Sequence, residues 1–165
     1  MNSTKHVMTL TLPSAREILI TRPFAAPRRL VWEAMTDPKH VMHWWGPRGS
    51  TLTVCEIDFR PGGAWRFVLR GCDGKDYAFK GVYHEITPPE RLVATECFDD
   101  PRLGSPEWLT TMTLEEHEGT TTMRSRILYK SPEARDGHLA SGMQQGAAET
   151  FERLEEYLTI KSMKS

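Results

Sequence analysis

Aromatic side chains at alternating positions are the residues of this sequence that most suggest a binding chemistry. The pairs that share one face of a predicted strand are Trp65 with Phe67, Phe79 with Tyr83, and Trp108 with Met112. Trp44 and Trp45 end a short predicted helix. Large aromatic surfaces with a few polar tips are typical of a pocket for a small apolar molecule. The same side chains would also suit a filled core, and a one-residue change of strand register would reverse every face.

Polar side chains offer catalytic arrangements, but none of them forms a motif. A pocket acid–base pair, such as Tyr83 with Glu107 or Arg126, would suit cyclase or hydrolase chemistry. Nucleophilic catalysis by Ser or Cys needs an activating base. The run from Arg48 to Leu52 lacks the second glycine of a GxSxG motif. We therefore assign no catalytic residue from the sequence.

Metal binding is not indicated either. His40 and His43 are three residues apart on a short predicted helix, so they face the same way. A metal site would need a third ligand, and no motif beside them supplies one. The cysteines, at positions 55, 72 and 97, include no CxxC pair and are odd in number. We expect no metal, no cofactor and no disulfide framework, as is typical of a reducing cytoplasm.

The remaining ionisable groups are predicted to be solvated. Glu96, Asp99 and Asp100 are interpreted as an acidic turn. His117 is assigned to a turn and His138 to a helix surface.

Composition narrows the class of protein. The chain has 165 residues, 39% of them hydrophobic and 26% charged, with a net charge of −1. These values favour one folded domain with a sizeable core over a disordered chain. The absence of a basic stripe argues against nucleic acid as a partner. No apolar run reaches the roughly 20 residues that a membrane span needs, and the N-terminus lacks a signal-peptide pattern. A cytoplasmic protein with no membrane partner is the prediction.

Seven segments have the composition or the period of two that is typical of strands. They are Glu17–Phe24, Ser50–Phe59, Ala64–Arg70, Tyr77–Ile86, Arg91–Phe98, Trp108–Glu116 and Thr120–Tyr129. Short turns separate the last six, which favours antiparallel hairpins. Two short helices are predicted between the first two strands, the first opening at Ala26-Pro27. Residues 1–15 are interpreted as a tail or an extension of the first strand, and residues 16–165 as one domain.

The other large element is a long amphipathic helix from Ser131 to Lys161. Ser131-Pro132-Glu133 is a helix start signal. The apolar stripe consists of Leu139, Met143, Ala147, Phe151, Leu154 and Leu158. Gly142 and Gly146 beside it each cost a helix about 1 kcal/mol relative to Ala. Either a closely approaching sheet or open volume beside the helix would explain them. Helices segregated from an antiparallel sheet make an α+β domain.

The order of these elements resembles the helix-grip fold of the START-like, or SRPBCC, superfamily. Within it, the chain is similar to the homologues of the activator of the heat-shock-protein ATPase. The resemblance is carried by Phe24-Ala25-Ala26-Pro27, Val31-Trp32-Glu33-Ala34, Thr36-Asp37-Pro38, Trp44-Trp45-Gly46-Pro47, Asp58-Phe59-Arg60-Pro61-Gly62-Gly63, Gly81-Val82-Tyr83-His84-Glu85-Ile86, Pro88-Pro89-Glu90-Arg91-Leu92, Gly142-Met143, Gly146 and Leu154-Glu155-Glu156-Tyr157-Leu158. It implies a curved antiparallel sheet of about seven strands wrapped around the C-terminal helix, with a cavity between them.

That cavity is the predicted functional site. Its expected lining is Trp44, Trp45, Trp65, Phe67, Phe79, Tyr83, Trp108, Met112, Met143 and Ala147. It should lie beside the first half of the helix, where Gly and Ala leave space. The leading hypothesis is binding of a small hydrophobic or amphipathic molecule without catalysis. The alternatives are a stress-related, co-chaperone-like module and a polyketide cyclase-like enzyme, which some START-like relatives are. A homodimer is also predicted, on the basis of Trp44-Trp45 as an exposed apolar patch.

Overall fold

The chain forms an α+β fold in which helices pack against an antiparallel sheet. The computed structural model describes residues 6–100 and 106–164. Its elements are β1 Thr9–Thr11, β2 Glu17–Phe24, α1 Arg28–Thr36, α2 Pro38–Val41, β3 Thr51–Ile57, β4 Ala64–Arg70, β5 Asp76–Thr87, β6 Arg91–Phe98, β7 Trp108–His117, β8 Thr120–Leu128, α3 Pro132–Ala140 and α4 Met143–Lys164. The predicted fold class is confirmed, and three of the seven predicted strands have the predicted bounds.

Within residues 6–100 and 106–164, the sheet has eight strands in the order β1-β2-β8-β7-β6-β5-β4-β3, and every neighbouring pair is antiparallel. It exceeds the predicted seven because Thr9–Thr11 pairs with β2, placing Leu10 opposite Ile20. The predicted tail is therefore partly a strand, and its first five residues lie outside the described part of the chain. The two short helices consequently follow the second strand rather than the first.

The predicted helix from Ser131 to Lys161 is instead two helices, α3 and α4. Ser131 caps α3, because its hydroxyl accepts the Ala134 N–H at 3.0 Å. The break falls at Gly142, whose φ of 90° lies in the left-handed region that favours glycine. A Cβ added at Gly142 or Gly146 would meet no atom within 4 Å. Close approach of a sheet is therefore the wrong explanation for these glycines.

Helix α4 contributes to the larger of the two apolar clusters found among the described residues. Leu154 and Leu158 are at most 1% exposed, and they join Ile18 and Phe24 of β2 and Trp32 of α1. A second cluster lies on the β3–β5 side of the sheet. Its buried members are Val41, Leu52, Trp65, Phe67, Leu69 and Tyr83.

The buried face of β2 also carries a charge, since Arg22 is 3% exposed and bonds Glu155 of α4 at 2.8 Å.

The loop that follows α2 is fixed to both helices beside it. Arg153 of α4 donates to the carbonyl oxygens of Gly46 at 2.8 Å and Pro47 at 3.2 Å. The Trp44 indole N–H donates to the Ala34 carbonyl at 2.9 Å, and this side chain is 3% exposed. Trp45 is half-buried. The interpretation of Trp44-Trp45 as an exposed patch is wrong, so the homodimer stays a prediction without that basis.

Candidate functional site

A cavity of about 340 Å³ lies between the sheet and the first half of α4. Members of both apolar clusters form its wall, so it occupies the place where they meet. Its lining consists of Ile20, Met35, Trp44, Trp45, Gly46, Pro47, Trp65, Phe67, Leu69, Phe79, Tyr83, Leu92, Ala94, Thr95, Glu96, Trp108, Thr110, Met112, Met123, Ser125, Ile127, His138, Met143, Ala147, Thr150 and Phe151. The wall is mostly aromatic and aliphatic, with a small number of polar groups.

All ten predicted site residues line this cavity. The strand alternation inferred for β4, β5 and β7 therefore places those side chains on the inner face. Trp45 packs edge to face with Phe67 at 5.0 Å and with Phe79 at 5.2 Å between ring centroids, which connects the loop to the sheet. That these residues bind a ligand remains a prediction.

Helix α4 closes one side of the cavity with its first half. Met143, Ala147, Thr150 and Phe151 line it, whereas Leu154 does not. Because the side chain of Ala147 is small, open volume remains beside it. Farther along the helix, the larger side chains of the buried leucines Leu154 and Leu158 fill the corresponding space. This placement agrees with the predicted position beside the first half of the helix.

The polar groups of the cavity wall include Glu96, which sequence reasoning missed. Strand β6 alternates, and Leu92, Ala94 and Glu96 all line the cavity. Glu96 lies directly opposite Trp108 on β7 and forms a side-chain hydrogen bond with it, in which the indole N–H is the donor. The solvated acidic turn predicted for Glu96 is therefore wrong. The period of two, counted from Leu92, was the signal that could have found it.

Burial strongly perturbs the Glu96 carboxyl. Loss of solvent around it raises its pKa from 4.5 to about 7, and the hydrogen bond from Trp108 offsets only part of this effect. The side chain is half-buried by surface area, and the surface it keeps contributes to the cavity wall. Near neutral pH, Glu96 is therefore neutral in some of the molecules and ionised in the others.

A histidine–tyrosine pair lies beside Glu96. His138 of α3 stacks on Trp108, with 4.4 Å between ring centroids, and its Nδ1 lies 2.5 Å from the Tyr129 hydroxyl. Burial lowers the pKa of His138 to about 4, so the ring is neutral at neutral pH. Burial also raises the pKa of the Tyr129 phenol. The helix-surface position predicted for His138 is wrong, because α3 turns this side chain onto the sheet.

The position of Trp65 in the wall depends on a glycine. Its indole N–H donates to the Thr95 carbonyl at 3.2 Å across the face of β5. The Val82 N–H donates to the Thr95 hydroxyl at 3.0 Å. A Cβ at Gly81 would lie 1.9 Å from the Thr95 carbonyl oxygen and 2.4 Å from the Trp65 Nε1. Only glycine accommodates this close approach.

Replacing Glu96 by glutamine is expected to stabilise the protein at about pH 8 by about 1–3 kcal/mol and to have little effect at about pH 4. The folded-state pKa is raised, so the folded protein binds more protons than the unfolded chain between pH 4.5 and about 7. The contribution of Glu96 to the free energy of unfolding of the wild type therefore falls as pH rises through that window. Urea unfolding of both proteins across pH measures the difference.

The same comparison contains its own internal control. His138 titrates in both proteins, and its lowered pKa makes stability rise with pH between about 4 and 6.5. The difference between the two proteins removes this opposite contribution. A difference that stays constant from acid to alkaline pH would contradict the assignment of a neutralised, buried Glu96.

The acid–base pairs proposed from the sequence do not form. Tyr83 is buried in the cavity wall, but Glu107 is exposed and lies 3.9 Å from Lys130. Arg126 instead bonds Glu17 at 3.0 Å. A predicted pairing of Tyr83 with either residue is therefore wrong.

The histidines of the α2 region contact a tyrosine. His40 Nδ1 lies 2.5 Å from the Tyr157 hydroxyl, and His43 stacks on the same ring. Within the described ranges, no group of three or more His, Cys, Asp or Glu side chains is arranged to hold a metal ion.

No described helix is both long and apolar enough to cross a membrane.

Comparison with known proteins agrees with this architecture. The family model described as activator of Hsp90 ATPase homolog 1-like protein matches residues 25–159. The chain belongs to this family. The match spans α1, the whole cavity wall except Ile20, and most of α4. Comparison with the curated proteins finds no match.

Several solved structures share the fold of this chain over nearly their whole length. A Rhodobacter sphaeroides protein is 31% identical, with a TM-score of 0.84, and the alignment covers 93% of this chain and 99% of that one. A Mycobacterium smegmatis protein is 27% identical, with a TM-score of 0.82 over 91% and 95% of the two chains. CalU16 from Micromonospora echinospora, at 21% identity and a TM-score of 0.60 over 99% and 90%, shows the fold alone.

Proposed function

We propose that this family member binds one small apolar or amphipathic molecule in the cavity between the sheet and α4. The observation that supports the proposal is the cavity itself, which has a volume of about 340 Å³ and a largely aromatic and aliphatic wall. Ligand pockets in proteins commonly have volumes from about 300 Å³ upward and orient an apolar body with few polar groups. Met112, Met123 and Met143 add adaptable surface to the wall.

The proposal predicts a ligand in the purified protein and saturable uptake of a neutral apolar probe. Native mass spectrometry should detect a bound small molecule after gentle purification, and removal of that molecule should free the cavity. Titration with prodan, an uncharged naphthalene dye that reports on polarity, should then show a blue shift with one site per chain. A linear, unsaturable response with no retained molecule would contradict the proposal.

A role on a chaperone is the second candidate, and the family description supports it. That function would use an external surface and would not depend on the cavity. Stimulation of the ATPase rate of a heat-shock protein by the purified chain would support it. If such stimulation persisted unchanged after the cavity was filled by a bulky side chain, it would favour this role over ligand binding.

A further inference from the structure

We propose that the ligand of this cavity is a hydrophobic amine, whose cationic nitrogen binds Glu96 while its apolar body lies among the aromatic rings. This inference rests on the proposed function and specifies its ligand class. Three observations carry it: the position of Glu96 in the wall, the charges that line the cavity, and the aromatic rings that share this wall with the carboxyl.

Glu96 is the acidic group of the described cavity wall, and no Lys or Arg is among the described residues that line it. Among the described residues of the neighbouring elements, the titratable groups on this side are Tyr83 of β5, Tyr129 after β8 and His138 of α3. The two phenols and the imidazole are neutral at neutral pH, since burial raises the pKa of each tyrosine and lowers that of the histidine. The charge that the wall carries when Glu96 ionises is therefore negative.

The protein only partly compensates for that negative charge. The Trp108 indole N–H donates to the carboxyl, and the described part of the cavity wall offers it no Lys or Arg. A buried carboxylate is costly unless an opposite charge and further hydrogen bonds accompany it. An alkylammonium group on the ligand would supply both, whereas a carboxylate ligand would add a like charge.

Aromatic rings in the same cavity wall would favour the same cation. Trp108 pairs with Glu96 across the strands, and Trp45, Trp65 and Phe79 contribute rings to the same cavity wall. Ammonium groups are attracted to such faces, most strongly to tryptophan and more so when water is excluded. A carboxylate within an aromatic wall thus suits an amine better than it suits a neutral alcohol.

Three matched probes test this inference: 2-(1-naphthyl)ethylamine, 2-(1-naphthyl)ethanol and 1-naphthylacetic acid. They share a naphthalene body and differ in the charge of the end group. Calorimetric titration at about pH 8.5 should show the amine binding at least about tenfold more tightly than the alcohol, and the acid most weakly. At about pH 5.5 protons occupy Glu96 while the amine stays charged, so the preference for the amine should shrink.

Two variants locate the effect. Glu96→Gln keeps the shape of the side chain and should remove the preference for the amine while retaining binding of the alcohol. Glu107→Gln is the matched control, because Glu107 is next to Trp108 but exposed and outside this cavity wall, and it should behave like the wild type. Circular dichroism of both variants confirms that they are folded.

The outcomes separate this inference from the proposed function. Equal or tighter binding of the alcohol by the wild type, or a preference for the amine that survives in Glu96→Gln, would overturn the inference and leave the apolar cavity function standing. Failure of all three probes to bind the wild type would overturn the proposed function and this inference with it.

Discussion

Replacing Leu154 by alanine is expected to lower the free energy of unfolding by about 2–5 kcal/mol. The side chain is fully buried, and it joins α4 to β2 and α1 in the larger apolar cluster. Truncation removes its apolar contacts and leaves a void that the rigid sheet can fill only in part. Urea or guanidinium unfolding, followed by circular dichroism, gives the change.

A matched truncation at an exposed leucine shows what burial contributes. Leu12 is 47% exposed, so Leu12→Ala should change the free energy of unfolding by less than about 0.5 kcal/mol. A loss below about 1 kcal/mol for Leu154→Ala would mean that α4 does not present this face to the sheet.

Replacing Ala147 by phenylalanine is expected to weaken prodan binding at least about tenfold while leaving the fold intact. Ala147 lines the cavity from α4, and the added ring would enter volume that the ligand needs. In a filled core the same change would overpack and destabilise the protein by about 1–3 kcal/mol. Fluorescence titration and an unfolding curve on the same sample distinguish a blocked cavity from a filled core.

Ala140→Phe is the control for this experiment. Ala140 ends α3, is exposed and is outside the cavity wall, so the same chemical change there should leave prodan affinity within about twofold of the wild type. Unchanged affinity in a folded Ala147→Phe protein would show that the dye does not occupy this cavity.

The fold was largely predictable because its local signals agree with one another. Segments such as Ala64–Arg70 and Arg91–Phe98 alternate with a period of two and are bounded by strong turn signals, and both strands have the predicted bounds. The inward faces of the aromatic strands followed from the same alternation. Thr9–Thr11 was harder to recognise, because a three-residue edge strand has too few positions to show a period.

The errors have identifiable physical causes. The apolar stripe predicts Gly142 within one helix, but Gly142 adopts the left-handed conformation and ends α3. The stripe continues with the same spacing on both sides of the break, so the pattern does not reveal it. The prediction of a solvated Glu96 rests on the usual exposure of acidic residues, but its register with Leu92 and Ala94 places it in the cavity wall. The burial of His138 depends on the direction of α3, which no local sequence pattern predicts.

The measurement that tests the central claim most directly is a crystal structure of the protein soaked with 2-bromonaphthalene. Anomalous scattering from bromine locates this neutral probe without reference to the shape of its density. Our account predicts one strong anomalous peak inside the cavity, between Trp45, Trp108 and Ala147, and its loss in Ala147→Phe crystals. Well-diffracting wild-type crystals with no peak in the cavity, or with bromine only on the outer surface, would contradict it.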